Sequence, residues 1–246
     1  MTKYVTFILF GICVLLQMSS AQNSSAQQTG ATSEVVQTNM NLGKIMPLGD
    51  SITKGAPAGA YRAPLFTLLK KGGYTFTFVG TLTENPTREL TEAGQDHHQG
   101  HSGMGMDWIR GHLKTFFATN QPNYILLVIG ANDVGGATVP QLKERMDKLL
   151  TEIFTLQPTV KLYLASITPQ KRSAMETIKE FNKLIPGIVA DHASKQRSVT
   201  FVSMDALDLK DLEDSVHPNV SGSLKIAQAF YTALVAGMGN APAAAK

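Results

Sequence analysis

Three residues from two distant segments of the chain have side chains that together could perform nucleophilic acyl transfer. Ser51 stands in the sequence GDSIT, directly after a short apolar run, whereas Asp214 and His217 stand in the sequence DSVHPN. A serine hydroxyl becomes a nucleophile when an adjacent base takes its proton, and the base needs a partner that selects its tautomer. A carboxylate and an imidazole three residues apart can meet within one turn of the chain. The spacing therefore favours a Ser-His-Asp catalytic triad.

Two further segments could supply the hydrogen-bond donors that stabilise the negative oxygen of a tetrahedral intermediate. Gly103 lies in the sequence GHSG, and Asn132 lies in the sequence IGAND directly after an apolar run. The N–H of a glycine can face a substrate without an intervening side chain, and an amide at a strand end can reach the same point. The N–H groups of Ser51 and Gly103 and the side-chain amide of Asn132 are therefore the predicted oxyanion hole.

Each of these segments taken alone also has an ordinary structural interpretation. Asp and Ser cap helices, Asn suits turns, and a His-Pro pair suits the start of a helix. The prediction depends on their joint occurrence, in this order, at strand ends or in the loop before the last helix.

The elements that must position these residues follow from the hydrophobic pattern. Alternating strands and helices predict an α/β fold, with a parallel sheet covered by helices on both faces. Functional residues in such folds lie beyond the carboxyl ends of the strands. Pro47 lacks an N–H, so we expect strand pairing to stop near it. The predicted strands are 45–48, 75–79, 124–129, 161–165 and 200–203, and the predicted helices are 139–156, 175–189 and 221–235.

The beginning of the chain has the pattern of a secretory signal peptide. Lys3 precedes an apolar stretch at 5–16, and Ser19-Ser20-Ala21 supplies small residues for cleavage. We therefore expect a signal peptide at 1–21, a secreted product and no membrane attachment after cleavage, with an uncleaved membrane anchor as the alternative. A polar leader at 22–40, one domain at 41–237 and a disordered tail at 238–246 complete the predicted organisation.

Composition excludes several classes of protein. The 246 residues are 43% hydrophobic and 17% charged, which is ordinary for a globular protein, and the net charge of +3 forms no basic stripe that would indicate a nucleic-acid partner. The single cysteine, Cys13, lies in the predicted signal, so a disulfide scaffold and a cysteine metal site are excluded. Asn23 and Asn219 fit the N-glycosylation sequon.

Two alternative sites stay open at this stage. Ser102 could be a rival nucleophile, but its surroundings are not a Gly-x-Ser-x-Gly elbow, and the polar segment before it is not a strand. His97, His98 and His101, with Asp96, could bind zinc, although their spacing in a loop equally fits a polar rim near the site.

The four motifs together resemble those of the SGNH, or GDSL-type, hydrolase superfamily, over about residues 44–235. The resemblance implies a flavodoxin-like α/β/α sandwich, here with a five-stranded parallel sheet, and esterase or lipase activity without a metal or another cofactor. It also implies Ser51 as the nucleophile, Asp214 and His217 as its partners, and Gly103 and Asn132 in the oxyanion hole. By the same resemblance, Asp50 and Asp133 brace the loops.

A finer resemblance is to secreted carbohydrate esterases of the acetyl xylan esterase kind. It is carried by the sequences KIMPLGDSITKG, YRAPL, FVGT, HQGHSGM and HPN. It implies an acetylated polysaccharide or a small ester as substrate, with Tyr61 and Arg62 lining the site; a surface helix start is the alternative for those two. Trp108, together with Met104 and Met106, could form an apolar wall for the acyl group or pack on the core.

Three functions therefore remain open after the sequence alone. The first is a secreted serine esterase that removes short acyl groups from carbohydrate. The second is a lipolytic esterase that acts on other carboxylic esters. The third is a non-catalytic carbohydrate-binding protein that uses the same scaffold.

Overall fold

Parallel strands form the centre of the molecule in the computed structural model, which describes residues 40–55 and 57–239. Five strands follow the order β2-β1-β4-β5-β6, and a short strand, β3, pairs with β1 beyond the end of β2. The five predicted strands are confirmed, and β3 was not predicted. The predicted signal peptide and nearly all of the leader lie outside the described residues. The strands are β1 Met40–Gly49, β2 Tyr74–Phe78, β3 Gln99–Gly100, β4 Tyr124–Val128, β5 Lys161–Ala165 and β6 Val199–Val202.

Helices cover both faces of the sheet and complete the predicted α/β/α sandwich. Helices α4, α5 and α6 pack on one face, and α1, α2 and α7 pack on the other. Apart from β3, the strand order is the flavodoxin-like one. The helices are α1 Ser51–Lys54, α2 Arg62–Lys71, α3 Arg88–Glu92, α4 Met106–Thr119, α5 Val139–Leu156, α6 Met175–Ala193 and α7 Val220–Gly239. None of the helices within the described ranges is long and apolar enough to cross a membrane.

The two central strands, β1 and β4, explain why the core has two halves. Every residue of β4 is buried, as expected for a parallel strand covered on both faces. Side chains alternate, so Ile125 and Leu127 join the half under α4, α5 and α6, while Leu126 and Val128 join the half under α2 and α7. Because β1 and β4 are paired through Gly49 and Val128, both strands end at the same edge of the sheet.

Pro47 lies where the neighbour of β1 changes. On one side β1 pairs with β2 as far as Ile45 and then with β3 from Leu48, whereas on the other side it pairs with β4 through Gly49. The expected stop in pairing therefore occurs on one edge of the strand alone. The missing N–H of the proline falls in the gap between two partners, so the other ladder continues to the functional end.

The helix boundaries differ from the predictions mainly at their ends. Helix α5 has the predicted bounds of 139–156, but α6 continues to Ala193 although it contains Pro186. Helix α7 continues to Gly239, so residues 238 and 239 belong to a helix and not to the predicted tail. The rest of that tail lies outside the described residues.

Candidate active site

The end of β1 presents Ser51 at the start of the short helix α1. The Asp50 side chain caps this helix by accepting a hydrogen bond from the N–H of Ile52, at 2.9 Å. Gly49 lies so close to β4 that a Cβ atom there would be 1.9 Å from the carbonyl oxygen of Val128. Only glycine allows this approach, so the turn that raises the serine depends on it.

A tight loop presents the other two triad residues together. Leu212 and Pro218 form an antiparallel bridge, and Glu213 donates its N–H to the carbonyl of His217, at 2.8 Å. The Asp214 carboxylate also accepts the N–H group of His217, at 2.8 Å. The loop therefore holds the carboxylate and the imidazole as one unit before either meets the serine.

The structure brings the three predicted triad residues into hydrogen-bond contact. His217 Nε2 lies 2.9 Å from Ser51 Oγ, and His217 Nδ1 lies 2.7 Å from Asp214 Oδ2. Partial burial acts to raise the pKa of Asp214, but hydrogen bonds from the side chain and backbone of His217 and from the N–H of Val216 hold it below its usual range. The carboxylate thus stays ionised and can fix the imidazole with Nε2 free to accept the serine proton.

Ser51, Gly103 and Asn132 line one cavity, as the predicted oxyanion hole requires. Gly103 has φ +78°, a left-handed conformation that suits glycine. The Asn132 amide donates to the carbonyl of Met104, at 3.0 Å, which orients its side chain next to the glycine loop. The cavity has a volume of about 380 Å³, and its walls are formed by Ser51, Lys54, Gly55, Asn85, Ser102, Gly103, Asn132, Arg172, Val216 and His217.

Asp50 and Asp133 lie behind these loops, where the resemblance placed bracing residues. Asp133 accepts the N–H of Met106, at 3.2 Å, and a hydrogen bond from Arg145, at 3.3 Å, so it ties the end of β4 to the start of α4. Burial raises the pKa of Asp133 from its ordinary value, against these hydrogen bonds. Burial likewise raises the pKa of Asp50 to about 7.

Tyr61 and Arg62 do not line the cavity, which corrects the expectation that they contact substrate. Both are fully buried at the start of α2. Arg62 donates to five backbone carbonyls, those of Thr53, Lys54, Glu84, Asn85 and Asp96, at 2.9–3.4 Å. The surface helix start is equally wrong, because this guanidinium holds together the loops behind the cavity.

Trp108 also lies outside the cavity wall, so its predicted contact with substrate is corrected as well. Its ring stacks on His112, with centroids 3.8 Å apart, and tilts against His101 at 4.9 Å. Met106 is fully buried as the first residue of α4. These residues pack on the core, the alternative that the sequence left open, and supply no apolar wall for an acyl chain.

The histidine-rich loop does not form a shared ligand set. His97 contacts the carbonyl of Gly80, His98 contacts the carbonyl of Glu84 and the N–H of Gly100, and His101 contacts Gln99. Within the described ranges no three histidines or carboxylates converge as metal ligands would. The hydrogen bonds of His97 and His98 instead fasten the glycine loop to the segment after β2.

Ser102 is near the site but has no hydrogen-bonded base that would activate it as a nucleophile. It lines the cavity, yet no imidazole in the described part of the chain makes a hydrogen bond with its hydroxyl, whereas Ser51 has His217.

Asn219, in the second sequon, caps α7 by accepting a hydrogen bond from the N–H of Gly222, and it donates its amide to the carbonyl of Lys210. A glycan on that nitrogen would replace one of the two amide hydrogens and leave a single donor for the second contact.

Sequence reasoning missed five residues of the cavity wall: Lys54, Gly55, Asn85, Arg172 and Val216. Asn85 has φ +54° and donates its side-chain amide to the carbonyl of Gly55. The Asn-Pro pair at 85–86 is typical of a turn and could have identified the loop that carries Asn85. Nothing in the sequence around Arg172 indicates that it faces the same cavity as Ser51.

Residues 48–224 match the profile of the GDSL-like lipase/acylhydrolase family. The chain belongs to this family. The matched segment includes Ser51, Asp214 and His217, and it covers most of the described domain. The domain at 48–224 therefore has the family assignment of an acylhydrolase.

Solved structures of carbohydrate esterases superpose closely on this GDSL-like domain. A family 3 carbohydrate esterase from Clostridium thermocellum is 31% identical, with a TM-score of 0.70 over 81% of this chain and 98% of that chain. A family 3 carbohydrate esterase from Talaromyces cellulolyticus, 24% identical over 81% and 99% of the two chains, has a TM-score of 0.71 and shows the same fold.

A longer relative contains a similar domain. A multidomain esterase from Ruminococcus flavefaciens is 32% identical in an alignment of 208 residues that covers 74% of this chain. The chain spans 27% of the length of that relative, so the similarity concerns one part of it.

Proposed function

We propose that the protein is a secreted serine esterase that removes short acyl groups, above all acetyl, from carbohydrate such as xylan. In the proposed reaction, His217 takes the proton of Ser51 as the hydroxyl attacks the ester carbonyl. The N–H groups of Ser51 and Gly103 and the amide of Asn132 stabilise the oxyanion. The imidazole then protonates the leaving sugar oxygen, and water releases the acid from the acyl-enzyme by the same steps in reverse.

One observation carries the proposal: the Ser51 hydroxyl, the imidazole and the Asp214 carboxylate form a continuous hydrogen-bonded chain at 2.9 and 2.7 Å. A protein that merely binds carbohydrate has no need of this alignment beside an anion pocket. The similarity to family 3 carbohydrate esterases supports a saccharide as the alcohol part of the ester.

The walls of the cavity support a short acyl group over a long one. Apart from glycines, Val216 is the single apolar residue in the wall that the structure describes. A long acyl chain gains binding free energy by burying methylene groups, at about 0.8 kcal/mol for each, and needs an apolar surface to do so. The lipolytic alternative lacks that surface here. The signal-like residues 1–21 support secretion.

Ser51→Ala tests the nucleophile. We expect acetate release from acetylated xylan to fall by several orders of magnitude, because the variant loses the attacking atom but no core contact. Acetate release by the wild type and the variant would be measured side by side, with the far-UV circular dichroism spectrum as the control for folding. Ser102→Ala is the matched variant and should retain most of the activity. Full activity of Ser51→Ala would overturn the assignment.

The length of the acyl group tests the substrate class. We expect kcat/KM on p-nitrophenyl esters to fall steeply from acetate to butyrate and further to octanoate, because beyond Val216 the wall has no apolar side chain against which longer acyl chains could be buried. Measurements on the acetate, butyrate and octanoate esters at one pH are sufficient. Preference for octanoate would instead support the lipolytic function.

A further inference from the structure

The catalytic cavity has cationic side chains that ester hydrolysis itself does not use. Lys54 and Arg172 contribute to its wall, and the wall contains no carboxylate among the described residues. The Lys54 ammonium has a partner nearby, since its Nζ lies 4.0 Å from Glu84 Oε1. Arg172, in contrast, makes no ion pair and no side-chain hydrogen bond within the described ranges, so its guanidinium is available to a ligand.

The backbone around Arg172 is fixed between the two loops that carry the catalytic groups. Gln170 is fully buried and donates its amide to the carbonyl of Ala131, next to Asn132, at 3.1 Å. Lys171 donates its N–H to the carbonyl of Ser215, in the loop of the triad, at 2.8 Å. The backbone that carries the Arg172 side chain is therefore held in place relative to the catalytic loops.

A guanidinium carried by a fixed backbone beside a reacting ester is suited to binding an anionic group. Its planar fork of N–H donors matches a carboxylate in two parallel hydrogen bonds. The acidic group that acetylated plant polysaccharides carry close to their esters is the carboxylate of a uronic acid. The Asp214 carboxylate does not satisfy Arg172, because it is engaged by His217 and two backbone N–H groups.

We propose that Arg172 is a specificity residue that binds the carboxylate of a uronic acid near the scissile acetyl ester. The preferred substrate is then an acetylated acidic oligosaccharide, with Lys54 adding positive potential to the same wall. This inference rests on the proposed esterase function and states which carbohydrate esters the site prefers.

The test compares acetylated xylo-oligosaccharides that carry a glucuronic acid branch with the same oligosaccharides after an α-glucuronidase has removed it. The measurement is kcat/KM for acetate release at low ionic strength. We expect the wild type to prefer the acidic substrate about tenfold, the scale of one hydrogen bond to a charged group. The preference should shrink in 0.5 M sodium chloride, because salt screens exposed charges.

Variants at adjacent positions separate a directed contact from overall charge. Arg172→Gln should lose most of the preference, mainly through KM on the acidic substrate, and Arg172→Lys should retain part of it. Lys171→Gln removes the same charge one residue away, from an exposed side chain outside the cavity wall, and should keep the preference. Equal loss in both glutamine variants would overturn the proposal.

Further outcomes distinguish the failures. A wild type that hydrolyses both oligosaccharides equally well, or an Arg172→Gln variant that keeps the preference, overturns this inference and leaves the esterase function standing. Hydrolysis of neither oligosaccharide nor p-nitrophenyl acetate overturns the proposed function and this inference with it. Sodium glucuronate should inhibit the wild type more than it inhibits Arg172→Gln. If sodium sulfate inhibits the wild type as strongly as sodium glucuronate does, the assignment to a uronate is overturned.

Discussion

Asp50 shows how a single residue in the nucleophile turn links the fold to pH. Its carboxyl is fully buried, and one oxygen caps α1 while the other has no hydrogen-bond partner. Burial raises the pKa to about 7, although the hydrogen bond from Ile52 and the nearby His217 act in the opposite direction. In the unfolded chain the same carboxyl titrates near its ordinary value of about 3.9.

Asp50→Asn should flatten the dependence of stability on pH. Between about pH 4 and pH 7 the folded wild type holds a proton that the unfolded chain has lost, so its free energy of unfolding falls as the pH rises. Asparagine keeps an oxygen for the cap but does not titrate. Urea unfolding at pH 5 and pH 7.5 would measure the difference between the two proteins. Asp205→Asn, at an exposed position, is the control, and an unchanged slope in Asp50→Asn would contradict the assignment.

The site residues that could be predicted are those whose chemistry is written in a short motif. Ser51 stands in a strand-end motif, Asp214 and His217 stand at a spacing that lets them meet, and the structure brings the three together. The roles of Arg62 and Arg172 could not be predicted, because they depend on which carbonyls or cavity walls converge around these side chains in space. A buried arginine and an exposed one have the same letter in the sequence.

At the scale of elements, α2 connects the core to the loops of the active site through Arg62. The guanidinium reaches the end of α1, the turn at 84–85 and the loop at 96, none of which pairs with the others in the sheet. Burial lowers the pKa of Arg62 to about 10, which still leaves it charged at neutral pH. The guanidinium of Arg62 thus supplies the hydrogen bonds that a neighbouring strand would supply within a sheet.

Arg62→Lys should destabilise the protein by roughly 3 kcal/mol, because lysine has no planar fork and leaves buried carbonyls without donors. We expect kcat on p-nitrophenyl acetate to fall as well, since Lys54 and Asn85 border the cavity. Guanidinium unfolding and steady-state kinetics would measure the two effects. Arg88→Lys, whose side chain is 90% exposed, is the matched control and should change neither.

Helices and strands could be predicted where the spacing of apolar side chains defines them. They could not be predicted where backbone hydrogen bonds alone define them. Helix α5 has apolar residues at regular helical spacing and was predicted to its ends. Strand β3 has two residues, Gln99 and Gly100, whose pairing with β1 depends on backbone groups that any residue carries. Helix α6 passes through Pro186 because its buried face, which includes Ile185 and Ile188, continues on both sides of it.

At the scale of the whole molecule, secretion stays a prediction of the first 21 residues. Expression of the full chain in a secreting bacterial host should release a protein that begins at Gln22, because Ser19-Ser20-Ala21 suits a signal peptidase. Intact-mass measurement of the medium and of the cell pellet would locate the product and its first residue. A full-length product retained in the membrane fraction would favour the uncleaved anchor.

The wide separation of the triad residues along the chain decides when activity can arise during synthesis. The nucleophile and its base are 166 positions apart, and the base and its carboxylate lie just before α7, the last helix. A ribosome therefore completes the six strands that the structure describes before it adds the imidazole of His217. No nascent fragment that ends before residue 217 contains the base of the proposed reaction, so that reaction can begin only after this residue has been added.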